Sequence, residues 1–139
     1  MAKQLKSIAD EIANACLASR TRLLGRVITG IYDDALRNVG LTSPQMTILV
    51  ALEHTGGVNP GSLCEALKLD KSTLSRNVDR MERNGWLRRT GAASHVRARQ
   101  AFRITPAGKR LLKDLRREVA VLYQEVVLGE VKANKRGRS

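Results

Sequence analysis

The segment "NPGSLCEALKLDKSTLSRNVDRMERNG" (59–85) restricts the fold more than any other part of the chain. Asn59 is a capping residue and Pro60 suits the first helical position, so a helix starts there. It must be short, because Lys68–Asp70 has to turn the chain. Asp70 is the next capping residue, and the pattern runs from it to about Asn84, where Gly85 stops it. Within this second helix Leu74, Val78 and Met81 fall on one narrow face. Two short helices joined by about three residues are the sequence form of a helix-turn-helix.

The flanks extend the motif. "LTSPQMTILVALEHTGG" reads as a preceding helix, with Thr42 or Ser43 as cap, Pro44 in the first turn, Gln45 placed for a capping box, and Gly56 and Gly57 as stop. After Gly85, "WLRRT" reads as a short strand, "GAASH" as a turn and "VRARQAFRI" as a second strand. In the second strand Ala98, Gln100, Phe102 and Ile104 lie on one face, and Arg97, Arg99, Ala101 and Arg103 on the other. A hairpin directly after the second helix makes 42–105 a winged helix-turn-helix. The expected fold is mostly α with a small β-hairpin wing. One domain is the prior for 139 residues.

Long helical patterns flank this region. Residues 5–37 carry apolar residues at three- and four-residue steps (Ile8, Ile12, Cys16, Leu23, Leu24, Val27, Ile28, Ile31), with Asn38 and Gly40 ending the helix. Thr105 and Pro106 open a last helix, expected to run to about Ala133, with Leu111, Leu112, Leu115, Val119, Leu122 and Val126 on one face. A helix of about 30 residues spans about 45 Å. The compact middle cannot cover two such stripes along their full length. The expectation is a two-fold homodimer through 5–37 and 106–133; a long monomeric helical hairpin is the competing reading.

The formal charge is +12 and the pI about 10.7, which favours an anionic partner. Tyr32, Trp86, Phe102 and Tyr123 are the whole aromatic complement. Four scattered rings make a poor stacking platform, so double-stranded DNA is a better candidate than single strands or RNA. Between Lys71 and Arg103 nine basic and two acidic residues give +7 in 33 positions, so charge concentrates on the winged region. Cys16 and Cys64 give neither a disulfide framework nor metal spacing. No signal core and no run of 18 apolar residues is present, so no membrane partner and a cytoplasmic location are expected. With His54 and His95 as the only histidines and no phosphate-binding glycine loop, enzyme chemistry, a metal and a cofactor are not expected.

The contact surface follows from placing 70–85 on a helix. Ser72, Arg76, Asp79 and Arg83 fall opposite the apolar face, flanked by Lys71 and Ser75 near the N-terminus, with Thr73 beside them. Arg can bind guanine O6 and N7 bidentately, and short hydroxyls permit close approach to base edges. The N-terminal amides also favour phosphate. Asp79 opposes phosphate; it can orient Arg76 or Arg83, or accept from cytosine N4. The wing offers Arg97 and Arg99 to a minor groove. Arg88 and Arg89 have two readings, phosphate contact or structure.

"GLTSPQMTILVAL", "LCEALKLDKSTLSRNVDRMERNGWLRR", the hairpin, "ITPAGKRLL" and the terminal helices together resemble the MarR family of bacterial transcriptional regulators, over about 6–130. The resemblance implies a dimeric winged-helix repressor, less often an activator, usually tuned by a small molecule or oxidant. It also implies an effector cleft between the terminal helices and the winged domain. The family wing usually carries Asp-x-Arg at its tip. Here those positions hold Val96 and Ala98, or His95 and Arg97 after a one-residue shift, so the family's wing ion pair does not carry over. Cys16 lies where the peroxide-sensing branch keeps its reactive cysteine, with Arg20 and Arg22 near it, although that branch adds tyrosines and only Tyr32 lies on this helix. Cys16 is therefore the candidate redox residue, against the reading of a buried apolar-stripe cysteine. A non-specific DNA-organising protein and a protein-binding winged helix are the rival functions.

Overall fold

The computed structural model describes residues 1–91 and 101–128. Its elements are α1 (Ala2–Ala15), α2 (Leu17–Leu36), a 3-10 turn (Arg37–Val39), α3 (Ser43–Thr55), α4 (Pro60–Leu67), α5 (Lys71–Arg83), β1 (Leu87–Thr90), β2 (Ala101–Ile104) and α6 (Pro106–Val127). β1 and β2 form an antiparallel hairpin base, with Leu87 opposite Ile104, Arg88 opposite Arg103 and Arg89 opposite Phe102. Val58 adds a bridge to Phe102 through both main-chain hydrogen bonds. The architecture is a mostly helical winged helix-turn-helix with long helices at both ends.

The core sits where α3 meets α2, α4, α5, α6 and the hairpin. Leu36, Ile48, Leu49, Leu52, Leu63, Val78, Met81 and Leu87 are all at most 1% exposed. These residues are contiguous in space, and Leu74, Phe102 and Leu115 complete the cluster. Fully burying one such side chain stabilises by about 1.5–3 kcal/mol, so α5 is held down chiefly by Leu74, Val78 and Met81.

Caps set most of the element boundaries. Asn59 accepts from Ser62 N–H, Asp70 from Thr73 N–H, and Thr105 from Gly108 N–H. Gln45 accepts the Thr42 N–H at 3.1 Å, the half of a capping box that its spacing called for. α3 has a further cap from outside its own segment: Asp33 of α2 accepts the Ser43 N–H at 2.6 Å, tying α2 to the winged region. Between α4 and α5 the chain reverses at Lys68, which is left-handed at φ 53. Leu69 N–H then reaches back to Cys64 O, closing a Schellman turn.

The long first helix expected over 5–37 is two helices. Cys16 sits between them at φ −76, ψ 99, outside helical space. Cys16, Ser19 and Thr21 are weak helix formers. Cys16 instead takes the position capping α2, its Sγ accepting from the Ser19 hydroxyl at 3.3 Å. No residue of α1 is buried, so tertiary packing does not force the helix through. The last helix is described to Val127; its expected end near Ala133 lies outside the described residues.

Candidate DNA-binding surface

The surface is built on α5, which carries a charged outer face because its apolar face is committed to the core. Lys71, Ser72, Ser75, Arg76, Asp79, Arg80 and Arg83 are exposed, and Thr73 is half-buried. These residues lie together on one side of the winged region. Arg97 and Arg99 lie outside the described residues.

The start of α5 is organised by Asp70. Its carboxylate accepts from Ser72 Oγ at 2.6 Å, Thr73 N at 2.8 Å and Thr73 Oγ1 at 2.7 Å. The Ser72 and Thr73 hydroxyls, followed by the Thr73 amide, hold the Asp70 carboxyl well below the usual carboxylate range. Two consequences follow. The Thr73 amide is already occupied by the protein's own carboxylate, so it is not free for phosphate. Both hydroxyls spend their protons on Asp70, so each can only accept elsewhere. An outward acceptor suits the exocyclic amino group of adenine or cytosine.

The arginines divide by partner. Arg83 Nε donates to the Asp79 carbonyl at 3.3 Å, and Arg76 lies 3.5 Å from Thr73 Oγ1, leaving both guanidinium groups at the surface. The Asp79 carboxylate binds neither of them. It binds Arg89 of β1 at 2.5 Å, and Glu82 binds the same guanidinium at 2.9 Å. Arg88 behaves differently from Arg89. It is exposed, directly opposite the equally exposed Arg103, with no carboxylate in ion-pair range of either among the described residues. Like charges directly opposite one another repel, which an anion between them would relieve. Arg103 was not singled out as a contact residue from the sequence; its signal is only visible once the register pairs it with Arg88.

A cavity of about 340 Å³ opens beside this surface, lined by Pro60, Gly61, Cys64, Lys71, Leu74, Ser75, Arg89 and Phe102. No group of three or more potential metal ligands occurs among the described residues, and no described helix is long and apolar enough to cross a membrane.

Cys16 is partly exposed at the start of α2. Hydrogen bonding from the Ser19 hydroxyl and then the Ser19 amide lowers its thiol pKa, with burial opposing and the Ala18 amide assisting. The cysteine is a helix-start residue, not the mid-stripe packing residue that an unbroken helix would make it.

Comparison with known proteins agrees with this geometry. The MarR family model matches residues 39–98. The chain is 25% identical over 96 residues to the uncharacterized HTH-type transcriptional regulator YybA of Bacillus subtilis, covering 69% of this chain and 63% of that protein. It is 34% identical over 74 residues to the HTH-type transcriptional regulator PecS of Dickeya dadantii, covering 51% and 43%. The chain thus spans less than two thirds of either relative. The fold is shared with a mutant MarR from E. coli complexed with operator DNA, at a TM-score of 0.74, 18% identity and 85% coverage of each chain. The matched segment holds the whole helix-turn-helix and the start of the wing; over it the chain is similar to the MarR family, and it shares that E. coli protein's winged helix-turn-helix fold.

Proposed function

We propose that this protein is a sequence-specific repressor that binds a pseudo-palindromic operator in double-stranded DNA as a homodimer and is released by a small-molecule effector. The observation that carries the reading is the division of α5. Leu74, Val78 and Met81 anchor it, while Lys71, Ser72, Ser75, Arg76 and Arg83 are exposed and Thr73 is half-buried, the set that this reading offers to the groove. Arg76 and Arg83 read guanine, Lys71 holds phosphate, and the wing's Arg97 and Arg99 enter the flanking minor groove.

The dimer reading rests on uncovered apolar surface. Leu5, Ile12, Leu17, Leu23, Leu24 and Val27 are each more than half exposed, as are Tyr123, Val127 and Leu128 at the end of α6. A second copy covers them, which spaces two α5 helices about one turn of DNA, 10–10.5 bp, apart. The effector reading rests on the family resemblance; the cavity beside Lys71 and Arg89, at the lower end of small-molecule sites in volume, is lined by no residue of the terminal helices and so is not the expected cleft.

A gel shift on the DNA upstream of the protein's own gene, with salt titration and competitor, tests the function. Specific retardation that weakens steeply with salt supports it. Binding without sequence preference makes the protein a DNA organiser, and no binding makes it a protein-interaction module. A second regulatory reading, oxidant sensing at Cys16, is favoured by the Ser19 hydrogen bond and the lowered thiol pKa. Hydroperoxide release of DNA by wild type but not by Cys16→Ser supports it; unchanged wild-type binding ends it.

A further inference from the structure

We infer that Asp79, Glu82 and Arg89 form a charge clamp that fixes the wing to the recognition helix, making Arg89 a positioning residue for DNA binding rather than a DNA contact. The inference rests on the DNA-binding reading of α5.

The geometry has three parts. Arg89 leaves the middle of β1 and spends its two terminal nitrogens on two carboxylates one turn apart on α5, Nη2 to Asp79 at 2.5 Å and Nη1 to Glu82 at 2.9 Å. The planar fork of a guanidinium can span both; an ammonium is a point charge and cannot do so with the same geometry. The guanidinium also lies 5.8 Å from the centre of the Phe102 ring, within cation–π range. Phe102 is itself only 5% exposed and is hydrogen-bonded through its main chain to Val58. The hairpin base is therefore attached to the core on one side and to the recognition helix on the other.

Electrostatics make the arrangement informative. Two carboxylates on a helix that faces a polyanion should weaken binding. Arg89 neutralises much of that penalty and converts the acids into a wing anchor. The outward cations Arg88 and Arg103 share the hairpin base and are aimed by it.

The two accounts of the acids differ in sign, and that decides the test. A duplex enriched by wild-type protein from a random-sequence pool serves as the probe. If Asp79 and Glu82 merely repel DNA, Asp79→Asn with Glu82→Gln tightens binding. If they anchor the wing, the same double variant weakens it, by about tenfold for a coupling of ordinary size. Arg89→Lys should weaken binding to a similar extent while keeping the charge, and the acid substitutions should cause no further loss in an Arg89→Ala background. Hydroxyl-radical footprints should lose protection at the flanking minor grooves and keep it at the major grooves, a split that general loss of stability would not produce. Tighter binding by the acid variant, wild-type affinity for Arg89→Lys, or additive losses would overturn the clamp with the DNA-binding reading intact. Failure of wild type to enrich any duplex would overturn both.

Discussion

Gly108→Ala is the sharpest test of how the winged region is joined to the last helix. Gly108 is buried in the first turn of α6. A Cβ built on it would run into the main-chain carbonyl of Trp86 and come within 2.7 Å of Ile104 Cγ1. A flexible side-chain tip could swing away, but the Trp86 carbonyl cannot. It accepts the Thr105 N–H at 3.1 Å, and Thr105 also donates its hydroxyl to the Gly85 carbonyl and accepts the Gly108 N–H. Relief must move backbone at the joint between α5, β1 and α6. Overpacking of this kind costs about 1–3 kcal/mol. Weakening the Thr105 hydrogen bond adds about 1 kcal/mol. Alanine in place of glycine returns at most about 1 kcal/mol of helix propensity, less in a first turn. The net expectation is a loss of about 1–3 kcal/mol. With a urea slope of about 2 kcal/mol/M, a loss of 2 kcal/mol lowers the midpoint by about 1 M. The assay is urea unfolding followed by circular dichroism at one fixed protein concentration, since a dimer's midpoint depends on it. Ala120→Gly, at an exposed site on the same helix, calibrates propensity alone and should cost about 1 kcal/mol. An unchanged or raised midpoint for Gly108→Ala would refute the close approach.

Other consequences can be checked separately. Lys68→Gly relieves a left-handed lysine between α4 and α5 and should stabilise by about 1 kcal/mol, read in the same urea assay. The depressed pKa of Asp70 means its contribution is present above the ordinary Asp value near 4 and is lost as pH falls toward the lowered folded value. Asp70→Asn should therefore flatten the loss of stability below about pH 4, measured by denaturation at stepped pH. Arg76→Ala should cost about 1–3 kcal/mol of operator affinity and relax one base preference, whereas Lys71→Ala should weaken all sequences alike and lower the salt slope by about 1, both from salt-titrated binding curves. Leu24→Glu on the exposed face of α2 should yield a monomer by light scattering; an unchanged dimer would place the interface elsewhere.

Local chemistry decided what could be read without coordinates. Asn59, Asp70 and Thr105 announce helix starts because a cap bonds amides two or three residues away, and Leu74, Val78 and Met81 announce a buried face because helical pitch is fixed. The helix-turn-helix, the hairpin base and the outward set on α5 follow from such rules. Contacts between residues distant in sequence do not. Asp33 capping α3, Gly108 against Trp86 and the cross-strand pair Arg88–Arg103 depend on how elements dock. Asp79 had partners at three- and four-residue spacing in Arg76 and Arg83, yet its carboxylate pairs with Arg89, ten residues away, because the β1 turn brings that guanidinium over α5. Helical periodicity carried the first helix through Cys16, where the backbone leaves helical space. Pattern alone determined that this chain builds a basic winged helix-turn-helix with a charged outer face on α5; only tertiary packing decided which of those charges pair across elements, as Asp79 and Glu82 do with Arg89.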